Sequence, residues 1–411
     1  MNFLIIFKNF FRRLHWGLNI IALILITISI FFVYSASHVN LESAAMFYKK
    51  QIIWAVVGWF CCLIFSAVDY HKIIKISWFL YTISILLLVI VLIAGRKVYG
   101  ATRWLMIMGI QVQPSEIAKL AVILVVTRMF ANTSDEDNAW KPFFCGLGAM
   151  ILPMLLIMKQ PDLGTAMVIF PSILALMFVG GAPIRGIFGI VISGITAIIL
   201  ILIVLFIPIK TGMSPERQEK WYHYTGLSKY QRDRIMVFFD ANVDPLGAGW
   251  NKLQSEIAVG SGGIWGKGFK QGTQNILGYL PKSVAPTDFI YSVIAEEMGF
   301  AGSLLLIILF ASLIFIIGWI GMSASDRTGL ILCTGIMALL FVHIFVNIAM
   351  AIGLMPITGL PLPLLSYGGS FMIVVMSMLG IVQSVYIRNR ENEIYEEEVP
   401  GLVGISIGGR M

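Results

Sequence analysis

The chain is a succession of apolar runs, each close to the length that crosses a bilayer, and this leaves few folds open. A span takes about 20 apolar residues at roughly 1.5 Å rise each. Runs of that kind fall near 15–35, 51–68, 77–95, 115–131, 143–159, 164–181, 187–209, 288–319, 329–355 and 370–387. The expected fold class is all-α: a polytopic membrane protein with about ten transmembrane helices in a single domain over 1–411. One long extracytoplasmic loop, 210–288, separates the seventh and eighth spans, and 388–411 form a cytoplasmic tail. Composition agrees, with 58% hydrophobic and only 12% charged residues, against roughly 25% charged in a soluble domain. Lys8, Arg12 and Arg13 precede the first span as they would in a signal peptide. That apolar run is too long for one and another span follows directly, so an uncleaved anchor is expected.

Several function classes drop out early. Cys61, Cys62, Cys145 and Cys333 all lie inside apolar runs, so they read as small buried hydrophobes and not as a disulfide set or a zinc site. The histidines show no metal-ligand spacing, so no metal site is expected, and no cofactor is evident. The sequence leaves room for a divalent cation as an aid to the chemistry. A net charge of +7 in a membrane protein points to anionic membrane lipid as a contact. No nucleic-acid-binding signature accompanies it.

Orientation follows from basic residues in short loops. With the N-terminus inside, the short inner segments carry more Lys and Arg than the short outer ones, and an even number of spans keeps both termini cytoplasmic. Every loop dense in polar and turn residues then falls on the outer side. Polar groups in or beside a bilayer are costly and usually mark a pathway or a site. One cavity opening outward is expected, with 210–288 as a lid or platform over it. That loop carries Trp221, Tyr222, Trp250 and Trp265, whereas disordered segments are poor in aromatics.

The polar motifs each admit two readings. In GATRWL (100–105) and QPSEIAK (113–119), Glu116 and Lys119 are three apart and share a helix face, either as a structural ion pair or as part of a site. Arg103 beside Trp104 suits an anion and ring contact or an interfacial anchor. QPDLGT (160–165) puts Gln160 and Asp162 in a very short turn, where Asp162 is either functional or a helix cap. GSGGIWGKG (260–268) fails the phosphate-loop template, because Lys267 is followed by Gly268. Its backbone N–H groups can still face an anion, with Lys267 and Lys270 nearby, or it is a plain flexible loop. In TDFIYSVIAEE (287–297), Asp288 sits where polar loop becomes apolar helix, as an N-cap or as a catalytic carboxylate. PLPLLSYGGS (361–370) joins an extended proline segment to the hydroxyls of Ser366 and Tyr367. His343 and Asn347, one turn apart, read as hydrogen bonds within the bundle.

These segments, in this order, resemble the SEDS family (shape, elongation, division and sporulation), and within it the elongation branch. The likeness also takes in DPLGAGW, the QSEIAVGSGG to GTQ run and FVNIAM. It implies polymerisation of the lipid-linked disaccharide-pentapeptide lipid II at the outer face of the cytoplasmic membrane. It also implies a class B penicillin-binding protein as transpeptidase partner, alongside other elongation-complex membrane proteins. The family's essential aspartate falls on Asp288. Family members often carry a histidine just before that Thr-Asp pair, and here Pro286 stands there, so no histidine enters the chemistry. Residues 211–229 look like an insertion relative to shorter relatives and receive no role.

The expected reaction is inverting glycosyl transfer, in which a sugar hydroxyl attacks an anomeric carbon and expels undecaprenyl pyrophosphate. The leaving group is good once its charge is met, so one general base suffices, and Asp288 is that base. Substrate contacts are expected from Arg103, Trp104, Gln113, Glu116, Lys119, Gln160, Asp162, Lys267, Lys270, Gln271, Thr273, Ser366 and Tyr367. Of these, Arg103, Lys119, Lys267 and Lys270 are the cations for the pyrophosphate. The competing readings are a flippase for the same lipid and a non-catalytic scaffold for the transpeptidase.

Overall fold

A computed structural model describes residues 10–37, 41–98, 101–107, 110–133, 139–223, 229–240, 243–281 and 284–398. Lys8, Gly100 of GATRWL, residues 224–228 of the insertion and 399–411 of the tail lie outside the described residues. In chain order the helices are α1 (Trp16–Ser37), α2 (Leu41–Ala67), α3 (Tyr70–Lys75) and α4 (Ser77–Ala94). Strands β1 (Arg96–Val98), β2 (Ala101–Ile107) and β3 (Ile110–Val112) follow. Next come α5 (Pro114–Ala131), α6 (Trp140–Lys159), α7 (Leu163–Val179) and α8 (Ile184–Lys210). The long loop holds α9 (Pro215–His223), α10 (Lys229–Phe239), α11 (Ala248–Ser261) and α12 (Thr273–Ile276). The bundle closes with α13 (Ile290–Met322), α14 (Arg327–Ala351) and α15 (Gly369–Glu398).

Among the described residues, 8 helices are long and apolar enough to cross a membrane: α1, α2, α4, α6, α8, α13, α14 and α15. The other two expected spans differ in kind. α7 has only 17 residues, and the 18 residues of α5 include Glu116, Lys119 and Arg128. Both pack against α14 inside the bundle, where their polar groups meet protein instead of hydrocarbon. α15 and α14 form the centre, with 83% and 67% of their apolar stretches buried, whereas α8 has only 6% buried.

The helix ends sort into two poles. At one, His71 bridges Asp69 (2.9 Å) and Asp326 (3.2 Å), Arg327 donates to Gly180 O (2.7 Å) and Thr133 O (2.8 Å), and Arg388 donates to Ala67 O (2.9 Å). The other pole gathers the sheet, the 160–162 turn, helices α9 to α12 and the 352–368 segment. Contacts described below join Arg103, Gln113, Asp162, Asp288 and Ser366 at this end.

Two local features correct the sequence reading. The 96–112 segment is a small antiparallel sheet in the order β1-β2-β3, with Val98 opposite Ala101 and Met106 opposite Gln111. Its outer strands of 3 residues are too short to show alternation. The glycine-rich segment, in turn, is neither an anion nest nor a plain flexible loop. α13 breaks at Gly299 (φ 66°), which frees backbone groups on either side of the break. Lys267 N donates to Glu296 O (3.0 Å) and Gly268 N to Glu297 O (2.9 Å). Phe300 N donates to Gly263 O (2.8 Å) and Ala301 N to Ile264 O (3.0 Å). The segment therefore repairs a broken helix, and these N–H groups are committed to its carbonyls.

A Cβ at Gly299 would lie 2.6 Å from Ile264 O in a backbone region that side chains rarely adopt. Gly299→Ala should cost about 1–3 kcal/mol, seen as a melting temperature several degrees lower in detergent. Gly260→Ala, with nothing within 4 Å of the new carbon and a helical backbone, should melt no lower than the parent.

Candidate functional site

Asp288 lies in a non-helical passage whose carbonyls are held one after another. Tyr367 N donates to Pro286 O (2.8 Å), and Ser366 Oγ to Thr287 O (2.5 Å). Asn347 Nδ2 donates both to Asp288 O (2.9 Å) and to Leu360 O (2.6 Å). Ser366 Oγ also accepts from Leu362 N (2.7 Å). Ser366 and Tyr367 thus position Asp288 through the backbone. The hydroxyl of Ser366 is committed there, contrary to its expected substrate contact. The N-cap alternative for Asp288 is also removed: Phe289 occupies the cap position of α13, and no side chain caps it.

The Asp288 carboxyl stands beside Gly359 (φ 72°), where a Cβ would come 3.3 Å from Asp288 Oδ2 and 2.9 Å from Arg234 Nη1. Arg234 reaches in from α10 and donates to Thr358 O (2.8 Å). Arg103 also bears on Asp288. It donates from Nε to Gln160 O (3.3 Å) and from Nη2 to Pro161 O, and its Nη1 lies 3.8 Å from Asp162 Oδ1. Asp162 does cap α7, accepting from Thr165 N (3.2 Å) and Oγ1 (2.9 Å), and it also accepts from Gln113 Nε2 (3.2 Å). Gln160 donates to Leu88 O (3.1 Å). Burial lifts the Asp288 carboxyl above the ordinary aspartate range, while Arg234 and then Arg103 pull it back and Asp162 adds to the rise.

The remaining predicted residues lie elsewhere. Glu116 and Lys119 form the expected ion pair (2.8 Å), and Lys119 Nζ also donates to His343 Nε2 (2.8 Å). At 2% and 1% side-chain exposure, the pair is sealed into the bundle. Lys267 pairs with Glu296 (2.6 Å) and donates to Ser261 Oγ (2.8 Å) and Thr273 Oγ1 (3.1 Å). Lys270 lies over the Tyr34 ring (4.2 Å) and donates to its hydroxyl (3.1 Å). Gln271 closes a turn onto Gly268 O (3.0 Å). Glu296 is eight residues beyond Asp288, roughly 12 Å along a helix axis, so Lys267 braces the break in α13 while Lys270 ties the segment to α1. Trp104 sits half-buried on β2 next to Arg103. Among the described residues no three His, Cys, Asp or Glu side chains converge to hold a metal ion.

Sequence reasoning missed Arg234. In KYQRDRIM it is one cation among many in a long loop, and only the docking of α10 brings it to Asp288. The available signal was the helical pattern of 229–239, with charged residues preceding an apolar run.

Asn347→Leu would leave two carbonyls without their donor, at about 1–3 kcal/mol for each group. Its melting temperature in detergent should fall well below that of Ser312→Ala, which removes only an exposed bond to its own helix.

Comparison with known proteins agrees with this architecture. The family model described as Cell cycle protein, for FtsW, RodA and SpoVE, matches residues 15–391. The chain is 41% identical to the peptidoglycan glycosyltransferase MrdB of Escherichia coli (strain K12) over 75% of its own length and 77% of that protein. It is 33% identical to the peptidoglycan glycosyltransferase RodA of Treponema pallidum (strain Nichols), over 89% of this chain and 96% of the relative. Among solved structures, a chain reported under "Structural coordination of polymerization and crosslinking by a peptidoglycan synthase complex" superposes with a TM-score of 0.72 at 25% identity, covering 92% of this chain and 98% of that one. The crystal structure of Thermus thermophilus rod shape determining protein RodA gives a TM-score of 0.65 at 25% identity, covering 92% and 97%. With the family model running nearly end to end, the chain belongs to the FtsW/RodA/SpoVE family, the SEDS family its motifs resemble.

Proposed function

We infer that the protein is a peptidoglycan glycosyltransferase that polymerises lipid II, with Asp288 as general base. The observation that carries the assignment is the carboxyl itself: its backbone is held at three successive carbonyls, it is raised in pKa by burial, and it is flanked by Arg234 and Arg103. A raised pKa makes the carboxylate a better proton acceptor near neutral pH. In the reaction, the acceptor sugar's hydroxyl gives its proton to Asp288 as its oxygen bonds to the donor's anomeric carbon. The bond from that carbon to undecaprenyl pyrophosphate breaks with inversion, and the pyrophosphate leaves with the electron pair. Arg103 and Arg234 meet its charge, a contribution on the order of 3 kcal/mol for a fixed donor. Lys119, Lys267 and Lys270, expected to share that role, are engaged with partners of their own.

The site faces outward, at the extracytoplasmic surface of the cytoplasmic membrane, with ten spans and both termini inside; the bias of basic residues in the short loops supports this. The transpeptidase partner is a class B penicillin-binding protein, supported by the likeness to a chain of a peptidoglycan synthase complex.

The test is purified protein with labelled lipid II, scored for polymer. Asp288→Asn should lower the polymerisation rate by about 10²-fold or more. The wild-type rate should rise with pH through an acid limb lying above the ~4 of an ordinary aspartate, because the reaction needs the carboxylate form. Polymer from Asp288→Asn at the wild-type rate would reject the base assignment. Lipid movement without polymer would favour a flippase, a reading that the Glu116–Lys119–His343 cluster inside the bundle suits.

A further inference from the structure

Arg234 reaches the site from one side of α10, and the other side of α10 is built into a second, smaller core. Leu205, Tyr222 and Met236 are buried together there, with Phe206, Trp221 and Ile235 packed around them, apart from the main core of the bundle. At about 100° per residue on a helix, Arg234 and Met236 point in nearly opposite directions. The turn that presents the guanidinium is therefore the turn that is anchored.

The anchor is the end of α8, the helix the bundle holds least, with 6% of its apolar stretch buried. Pro208 lies inside α8 and has no N–H, so Val204 O lacks its helical donor. Trp221 Nε1 supplies one at 3.1 Å, and Tyr222 Oη donates to Leu205 O at 3.1 Å. The Arg232 guanidinium lies 4.5 Å over the Tyr222 ring. These contacts come from the 211–229 segment, to which the sequence assigned no role. On its far side α10 is also tied through Gln231 Nε2, which donates to Met158 O of α6 (3.4 Å), through Lys252 Nζ of α11, which donates to Phe238 O (2.9 Å), and through Arg234.

We propose that the satellite core of Leu205, Tyr222 and Met236 positions Arg234 for glycosyl transfer, so that α8, α9 and α10 move as one body and the lie of α8 decides whether the guanidinium stands beside Asp288. The proposal rests on Asp288 as base and Arg234 as a charge facing the leaving pyrophosphate. Tyr222, Met236 and Trp221 are positioning residues. They touch no reacting atom and act through Arg234, while Arg103 and Asp162 also bear on Asp288.

The experiment uses the full chain in lipid nanodiscs with labelled lipid II. Met236→Ala should slow polymerisation roughly 10-fold and move the acid limb of the pH profile upward, as Arg234→Gln does, because the same cation is withdrawn from the carboxyl. The double variant should be no slower than Arg234→Gln alone. Trp221→Phe, which keeps a ring and deletes the N–H, should move the limb in the same direction. Adding Pro208→Ala, which restores a helical donor to Val204 O, should bring it back. Multiplicative rate losses in the double variant, or an acid limb that stays in place in both Met236→Ala and Trp221→Phe, would overturn the proposal. Failure of the base assignment is separately visible, since Asp288→Asn would then retain the wild-type rate.

Discussion

A backbone that leaves its helix inside or beside a bilayer must find hydrogen-bond partners in the protein, because the lipid offers none. The chain leaves its helices at three informative places, and the rest of the structure is arranged to supply those partners. At Gly299 the partners are the backbone of 263–268. At Pro208 the partner is the indole of Trp221. Before α13 they are Asn347, Ser366 and the backbone of Tyr367, which hold the carbonyls on which Asp288 rides. Much of the polar content of the motifs is spent on this repair. Only a subset of polar residues is left to act on a ligand.

That subset is small and electrostatically uneven. Burial opposes ionisation of Asp288, and the arginines favour it; burial is the larger influence, and the carboxyl ends above its ordinary range. A carboxyl buried with no cation nearby would resist ionisation more strongly still. The two arginines are tethered to other oxygens, Arg103 to Gln160 O and Pro161 O and Arg234 to Thr358 O. Each keeps its charge near Asp288 while being fixed by something else. This division suits a site where one group must accept a proton and neighbouring cations must receive a pyrophosphate.

Much of this is legible in the sequence. Span lengths locate the helices to within a few residues, apart from α2, which begins ten residues before its expected span, and α15, which runs eleven residues past its own, to Glu398, into the stretch expected as a tail. The Glu116–Lys119 pair and the Asp162 cap are each one of two readings that spacing allows, and the contacts supply the ion pair and the cap. What was not legible were contacts made by backbone. A glycine series next to lysines reads equally well as an anion nest or as a brace for a broken helix, and only the break at Gly299 distinguishes them. Ser366 looked like a substrate contact because its donation to Thr287 O spans 79 residues. Arg234 stayed hidden for the same reason, since no local pattern ties a loop cation to Asp288 across Gly359.

Catalysis here requires a sugar hydroxyl to meet the Asp288 carboxyl, and the most direct measurement is an experimental structure of the Asp288→Asn protein with lipid II bound. The acceptor's attacking hydroxyl should lie within about 2.6–3.2 Å of the residue 288 side chain, with the donor pyrophosphate against Arg103 and Arg234. A pyrophosphate resting instead on Lys267 and Lys270, with no sugar hydroxyl near residue 288, would contradict it.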